Sequence, residues 1–265
     1  MLIGTPRLCL AVLLAGSIQA QEQNGAKAPE IARPAQYTPE SRAKAVQILE
    51  RARAAAGGEK KLAALRDITR TLDLTQSADG SEARQTVQIV FPRTLRYTNS
   101  VGQTEVSAFF DGSAGWVKSP WGFDRSLPDW QTKAAEQDIF RQIEGLLRSD
   151  RNLERTVAFV ESREVHGQAA DGIEIRDKRA GVVRLWIHAS SGDPVALQYH
   201  RITARGEAGE VVEYFRDFKE TSGVRTPRRI STRIDGKPYM ETVVLDVAYN
   251  TGLKTETLAR AVEMK

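Results

Sequence analysis

Three histidines are the residues whose side chains could bind a metal or transfer protons near neutral pH. His188 and His200 lie on neighbouring predicted strands, and His166 stands apart from them. Metal sites combine several histidine, cysteine or carboxylate ligands. Neither His188 nor His200 has a cysteine or a dense group of carboxylates nearby in sequence to complete such a site. The chain also lacks Gly-x-Ser-x-Gly, His-Glu-x-x-His, Walker and Gly-x-Gly-x-x-Gly motifs. We therefore predict no metal, no cofactor and no enzymatic activity.

One pair of carboxylates is spaced as a general acid and base would be. Glu213 and Asp217 lie four residues apart on a predicted strand, which places both on one face. Phe215 lies between them in the same register, and Arg216 is adjacent. These neighbours favour a solvated strand face for the two carboxylates. An enzyme that uses an internal cavity as its active site remains a lesser alternative to a non-catalytic protein.

The first 20 residues are typical of a secretory signal peptide. They contain Arg7, an apolar run from Leu8 to Ala15, and an Ile18-Gln19-Ala20 end that suits cleavage. The apolar run is too short to span a bilayer. Cys9 is the only cysteine of the chain, so the mature protein is expected to have no disulfide and no thiolate nucleophile. We expect a periplasmic protein with a flexible linker over residues 21–37 and one domain over residues 38–265.

The charges exclude a nucleic-acid partner. The chain has 38 basic and 34 acidic residues, a net charge of +4 and a pI near 9.2. Both signs are interspersed, whereas nucleic-acid binding needs basic residues clustered on one surface. The group Arg225, Arg228 and Arg229 is too short to form such a surface.

We expect the protein to be a monomer.

Two helices are predicted outside the sheet. Thr38 is suited to cap the first helix, Pro39 to begin it and Gly57 to end it. A second helix is predicted from an N-cap at Asp129 to about Leu147. A loop over residues 119–131, rich in Trp and Phe, precedes it.

Most of the remaining chain has the period-two pattern of β-strands. Punctuation by Asp-Gly pairs at 79–80, 111–112, 171–172 and 235–236 favours hairpin turns. The pattern predicts about eleven strands in an antiparallel meander, sandwich or barrel. The predicted strands are 72–74, 86–91, 95–99, 105–110, 155–162, 172–177, 182–188, 195–202, 211–218, 228–234 and 240–249.

The predicted sheet has more apolar surface than two helices can cover. We therefore expect an internal cavity that binds lipid, closed by a lid formed from the aromatic loop and the second helix. The predicted cavity residues are Val87, Ile89, Phe91, Leu95, Tyr97, Val106, Ala108, Phe110, Trp116, Leu185, Ile187, Tyr214, Phe218 and Ile230. The predicted lid residues are Trp121, Phe123, Trp130, Ile139, Ile143 and Leu146.

Four segments resemble a known superfamily in their order and spacing. They are ILERARAAAGGEKKLAALRDITR, FPRTLRY, FFDGSAGWVKSP and VEYFRDFKETSGVRTPRRISTRIDGKP. Together they resemble the LolA/LolB-like superfamily of periplasmic outer-membrane lipoprotein carriers and lipoprotein-sorting proteins. The resemblance covers most of residues 40–250. The chain is longer than a typical carrier and has an extended polar segment before the first helix.

The resemblance implies a mainly β fold, an unclosed antiparallel barrel of about eleven strands wrapped over helices that holds acyl chains. It implies a non-catalytic carrier for lipid or lipoprotein acyl chains, moving them toward the outer membrane between donor and acceptor proteins of the two membranes. An alternative within the same fold is an envelope sensor that binds lipoprotein or lipid together with a regulatory protein. The carriers use an arginine on an early strand to hold the lid closed. The resemblance implies that Arg96 has this role here.

Overall fold

The computed structural model describes residues 35–124, 126–148, 155–203 and 206–260. The predicted signal peptide, with Cys9, and most of the predicted linker lie outside these residues. The described helices are α1 (Pro39–Ala55), α2 (Glu59–Ala63), α3 (Asp129–Arg141), α4 (Ile143–Leu147) and α5 (Thr255–Ala259). None of them is long and apolar enough to cross a membrane.

Thirteen strands form one antiparallel sheet in the described part of the chain. They are β1 (Asp67–Gln76), β2 (Glu82–Val90), β3 (Thr94–Val101), β4 (Thr104–Phe110), β5 (Gly115–Ser119), β6 (Gly122–Asp124), β7 (Arg155–Val165), β8 (Gln168–Asp177), β9 (Gly181–His188), β10 (Pro194–Thr203), β11 (Gly206–Thr221), β12 (Val224–Ile234) and β13 (Lys237–Tyr249). All eleven predicted strands are present. Two more are present: β5 ends at Ser119, where the segment predicted to be a loop begins, and β6 lies within that segment.

The sheet is a meander whose two halves join in the middle. Its order is β6-β5-β4-β3-β2-β1-β13-β12-β11-β10-β9-β8-β7. The first and last strands, β1 and β13, pair with each other, with Ile68 opposite Tyr249. The two ends of the sheet, β6 and β7, are its edges, so the barrel is not closed. This confirms the predicted fold class.

The helices α1 to α4 lie on the inner face of the curved sheet and share one core with it, whereas α5 packs on the outer face. Thr38 caps α1 by accepting a hydrogen bond from the Ser41 backbone N–H at 3.2 Å. The buried face of α1 includes Ile48 and Leu49, and α4 contributes Leu146 and Leu147. Successive side chains of a strand point to opposite faces, so Leu185 and Ile187 enter this core while Trp186 packs in a separate cluster on the outer face.

The joint between α1 and α2 is fitted closely against the hairpin between β11 and β12. The backbone N–H of Arg225 donates to the carbonyl oxygen of Ala56 at 3.1 Å. Gly57 has a φ of +114°, and a Cβ built there would lie 2.1 Å from the carbonyl oxygen of Gly223. Glycine is required at this position both for its backbone conformation and for the close approach.

The second predicted helix is interrupted, which the sequence did not indicate. The helix α3 ends at Arg141, Gln142 takes an extended conformation with φ −58° and ψ 129°, and α4 begins at Ile143. The Gln142 side chain donates a hydrogen bond to the carbonyl oxygen of Asp138 at 2.9 Å. The break turns α4 so that all five of its residues are buried.

Candidate functional site

A cavity of about 250 Å³ lies between the inner face of the sheet and the break between α3 and α4. One wall is formed by strands near the junction of the two halves of the sheet and carries both apolar and polar side chains. The other wall carries polar side chains from α3, β1, β3, β10 and β11. The apolar residues include Leu72, Leu74, Val87, Phe215, Ile230, Met240 and Val244, and Gln85, Thr226, Thr232 and Thr242 lie among them.

Arg70 attaches the helical break to the sheet. This residue lies on β1, and its guanidinium donates to the Gln142 side-chain oxygen and pairs with the Glu144 carboxylate. Glu144 also accepts a hydrogen bond from the Tyr249 hydroxyl at 2.8 Å. Glu144 is 1% exposed, and a buried charge of this kind is stable only when it is paired and hydrogen-bonded. These contacts fix the position of α4 over the cavity.

Three further arginines hold α4 and the residue that follows it through backbone contacts. Arg53 of α1 donates to the carbonyl oxygen of Leu147 at 2.8 Å. Arg155 of β7 donates to that of Gly145 at 2.8 Å, and Arg148 donates to that of Leu65 at 2.5 Å. The last carbonyl groups of a helix have no hydrogen-bond donors within the helix. Arg53 and Arg155 provide donors for two such carbonyl groups of α4.

A second set of polar side chains lines the cavity where α3 faces the sheet. We call Tyr97, Asp138, Arg141, Tyr199 and Glu213 the polar cluster. Arg141 pairs with Asp138 one turn earlier on α3, and its guanidinium lies 3.9 Å from the ring centroid of Tyr199. The Tyr199 hydroxyl donates to the Glu213 carboxylate at 2.7 Å. Tyr97 of β3 lies beside Asp138.

Two glutamates beside the cavity have pKa values shifted in opposite directions. Burial alone would raise the pKa of Glu144, but the guanidinium of Arg70 holds it below its usual value. Burial raises the pKa of Glu213, and the hydrogen bond from Tyr199 and the charge of Arg141 offset this effect only in part. Arg70 pairs directly with Glu144, whereas Arg141 acts on both Asp138 and Glu213, and burial raises the pKa of both of these carboxyl groups.

The predicted cavity residues on the inner side, together with the predicted lid residues Ile139, Ile143 and Leu146, divide between this cavity and the solid core around it. Val87, Tyr97, Ile143 and Ile230 line the cavity of about 250 Å³. Phe91, Phe110 and Ile139 line a smaller one of about 100 Å³ near the rim. Leu95 and Ala108 border a gap of about 30 Å³. The others on the inner side pack without lining these spaces, namely Ile89, Val106, Leu146, Leu185, Ile187 and Phe218.

Two predicted cavity residues lie on the outer face of the sheet. Tyr214 stacks on His166 at 4.8 Å between ring centroids and packs against the outer cluster around Trp186. Trp116 stacks on Phe109 and packs against Leu258 of α5. Each neighbours an inward residue on its strand or on the paired strand, so the alternation of the sheet directs it outward. Their assignment to the cavity was wrong.

The aromatic part of the predicted lid does not cover the cavity. Trp121, 70% exposed, lies in the tight turn between β5 and β6, and Phe123, 43% exposed, lies on the edge strand β6. Phe123 contacts Trp116 on the outer face, with ring centroids 5.7 Å apart. Trp130 is half-buried in the first turn of α3. The segment over the cavity is instead the break between α3 and α4.

Arg96 does not contact α3 or α4 through the hydrogen bonds that the structure describes. It lies between two inward residues of β3, so its side chain is on the outer face. There its guanidinium donates to the carbonyl oxygens of Leu258 and Arg260 at 3.4 and 3.3 Å. The guanidinium also lies 5.5 Å from the Trp116 ring. Arg96 therefore holds the C-terminal segment, and the residue that holds the helical break is Arg70.

Arg70, Asp138, Arg141 and Tyr199 were not predicted to line the cavity, whereas Tyr97 was. Glu213 was assigned to a solvated strand face, but it lines the cavity, and alternation contained a signal for it and for Arg70. Arg70 shares its face of β1 with Ile68 and Leu72, which are buried. Glu213 shares its face of β11 with Phe215, also buried in the core. A charged residue within an otherwise inward-facing apolar register indicates a buried polar site. Asp217, by contrast, has a φ of +56° and pairs with Arg229 at 2.9 Å in an exposed position, so it does not act with Glu213.

No metal site is formed within residues 35–124, 126–148, 155–203 and 206–260, since no group of three or more potential ligands comes together there. His188 and His200 do not approach each other through the sheet register. His188 lies at the turn before β10, where its Nδ1 accepts from the Ser191 backbone N–H at 3.0 Å. His200 is opposite Glu210, towards the other end of β10.

The open, curved antiparallel sheet wrapped over helices defines a fold shared with solved structures. A LolA superfamily protein from Nitrosomonas europaea matches 82% of this chain and 97% of its own, with 14% identity and a TM-score of 0.55. An outer-membrane lipoprotein-sorting protein domain from Vibrio parahaemolyticus matches 82% of this chain and 99% of its own, with 14% identity and a TM-score of 0.51. The fold that the sequence resemblance implied is thus confirmed.

Sequence comparison adds no relative to these. No family model matches the chain, and the search of curated proteins finds no match.

Proposed function

We propose that the protein is a non-catalytic binding protein for acyl chains of lipids or lipoproteins, acting as a carrier in the periplasm. The observation that carries the proposal is the cavity of about 250 Å³ between a sheet surface that contributes several apolar side chains and a helical break held by polar contacts. For comparison, an engineered apolar cavity of about 150 Å³ binds benzene. The cavity here is large enough for part of an alkyl chain.

Burial in this cavity gives the chain a favourable free energy. Each methylene group removed from water contributes roughly 0.8 kcal/mol, so about eight of them contribute roughly 6 kcal/mol. Drug-sized ligands occupy pockets of roughly 300–1,000 Å³. A complete acyl chain therefore requires the cavity to enlarge, and movement of α3 and α4 away from the sheet is the change that would do so.

The way the helical break is attached supports this movement. Gln142 and Glu144 are held to the sheet mainly through Arg70 and Tyr249. Hydrogen bonds and ion pairs can be exchanged for contacts with water when the helices lift, so opening is less costly there than for a wholly apolar contact. In this proposal Arg70 is the residue that holds the lid closed.

The periplasmic location and the direction of transport rest on the N-terminal signal sequence and on the shared fold. Donor and acceptor proteins in the two membranes complete the proposed cycle. The lipoprotein-sorting description belongs to the Vibrio parahaemolyticus domain, and it supports the same class of cargo here.

Native mass spectrometry of the protein purified from the periplasm tests the proposal. Val87→Phe fills the cavity from the wall formed by the sheet, and Val182→Phe makes the same change at a residue that is 41% exposed. We expect the wild type and Val182→Phe to carry an extractable acylated molecule and Val87→Phe to have lost it while retaining the wild-type circular dichroism spectrum. An empty wild-type protein, or full occupancy in folded Val87→Phe, would contradict the proposal.

A further inference from the structure

The polar cluster gives the cavity a chemically distinct end. The inference that follows rests on the proposed function, because it concerns the head group of a molecule whose chain lies in the same cavity. The cluster is not needed to attach α4, which Arg70, Glu144 and Tyr249 accomplish. Its five side chains come from α3, β3, β10 and β11 and converge on the cavity.

The charges of the cluster do not balance. Asp138 and Glu213 are two carboxylates, and Arg141 is one guanidinium. Arg70 also lines the cavity, but it is paired with Glu144. When all of these groups are ionised, one negative charge remains, and Glu213 carries it because Arg141 is paired with Asp138.

The environment of Arg141 shows the sign of the local potential. Burial lowers the pKa of a guanidinium, yet the pKa of Arg141 is raised by Tyr199, Asp138, Glu213 and Tyr97. At neutral pH the two tyrosines are uncharged, so a second cation placed here would be stabilised by the carboxylates of Asp138 and Glu213 alone. An anion would meet the uncompensated carboxylate of Glu213 in a region of low dielectric constant, where like charges repel strongly.

The hydrogen-bonding capacity of Glu213 also suits a donor. An ionised carboxylate has about four acceptor sites, and Tyr199 supplies one hydrogen bond at 2.7 Å. A primary ammonium group has three donors and no acceptor. It would satisfy Glu213 while neutralising its charge.

We propose that the polar cluster binds the protonated amino head group of a single-chain amphiphile, with Glu213 as its counter-ion and the alkyl chain along Leu72, Leu74 and Val87. The two ends of the cavity then match the two ends of the ligand. Charge-assisted hydrogen bonds contribute more than neutral ones. An amine is therefore expected to bind about tenfold or more tightly than a neutral head on the same chain.

Isothermal titration calorimetry with three ligands of one chain length tests this proposal. The ligands are dodecylamine, dodecanol and dodecanoate at neutral pH, each below its aggregation threshold. Like the lysine side chain, the alkylamine is protonated at this pH. For the wild-type protein we expect dodecylamine to bind at least about tenfold more tightly than dodecanol, and dodecanoate to bind most weakly.

Two variants assign the preference to the cavity. Glu213→Gln is expected to reduce the amine-to-alcohol ratio to about one while dodecanol still binds. Glu210→Gln removes the same charge from the same strand, but Glu210 contacts Gln198 rather than the polar cluster, so the wild-type ratio is expected.

The outcomes separate the two proposals. Equal binding of all three ligands, or tightest binding of dodecanoate, would overturn the head-group assignment and leave chain binding intact. Loss of the amine preference in Glu210→Gln would also overturn it, because the effect would then arise from net charge alone. No binding of any ligand would overturn both proposals.

Discussion

Glu144 and Glu213 show how two interior carboxylates acquire opposite effects on stability. The pKa of Glu144 is lowered in the folded protein because Arg70 pairs with it, against the effect of burial. A carboxylate with a lowered pKa adds stability above its unfolded pKa, and this is lost as pH falls through the folded value. The pKa of Glu213 is raised by burial, so its ionised form opposes folding above the ordinary value of 4.5.

Removing the two charges should therefore have opposite results. We expect Glu144→Gln to lower the free energy of unfolding at pH 7 by about 3 kcal/mol, as loss of one partner in a buried pair does, with a smaller cost in acid. We expect Glu213→Gln to raise the free energy of unfolding at pH 7 and to match the wild type below the ordinary pKa of a glutamate. Urea unfolding at both pH values measures this, and a less stable Glu213→Gln at pH 7 would contradict it.

Sequence patterns located apolar side chains on the inner side more readily than charged ones. Val87 and Ile230 were predicted for the cavity and Ile143 for the lid because apolar residues in a period-two or helical register face inward. Arg96 was assigned to the lid, but Leu95 and Tyr97 on either side of it face the core, so alternation directs Arg96 outward. Arg70 was missed and Glu213 was assigned to a solvated face, because a charge is normally expected there.

At the scale of elements, two arginines on neighbouring parts of the sheet hold different segments. Arg70 on β1 holds the break between α3 and α4 on the inner side. Arg96 on β3 holds the carbonyl groups at the end of α5 on the outer side. The resemblance to lipoprotein carriers pointed to Arg96, but the early-strand arginine that contacts the helical break is Arg70.

Hydrogen exchange should distinguish the two arginines. We expect Arg70→Met to accelerate amide exchange in residues 139–147 by about tenfold or more, because the buried Glu144 loses its counter-ion and the segment opens more often. Arg96→Met should leave that segment unchanged and increase exchange in residues 255–260. Faster amide exchange of residues 139–147 in Arg96→Met, together with an unchanged rate in Arg70→Met, would contradict this assignment.

The helices and strands could be predicted from sequence except where contacts with distant residues determine the local conformation. The eleven predicted strands are all present because their periodicity is local. The Asp171-Gly172 pair suggested a turn, yet it lies inside β8, where a Cβ on Gly172 would come within 2.6 Å of the Trp186 ring. The break at Gln142 depends on Arg70, which is 72 residues away, and no local pattern contains that information.

At the scale of the molecule, the sheet is wider than its helices can fill. Thirteen strands curve around α1, α3 and α4, and the helices close most of the interior with one continuous core. The cavity of about 250 Å³ is the part of the interior that the core does not fill, and both Arg70 and the polar cluster line it. The sequence predicted the existence of such a space but not its polar end, since that end is assembled from four separate elements.

The heat capacity change on binding dodecanol tests the central claim most directly, because this ligand has an uncharged head and depends on its chain. Burial of apolar surface gives a negative heat capacity change. Calorimetry at several temperatures should show one dodecanol bound per chain with a negative heat capacity change, and no binding to folded Val87→Phe. Absence of binding to the wild type, or binding without a heat capacity change, would contradict an acyl-chain site in this cavity.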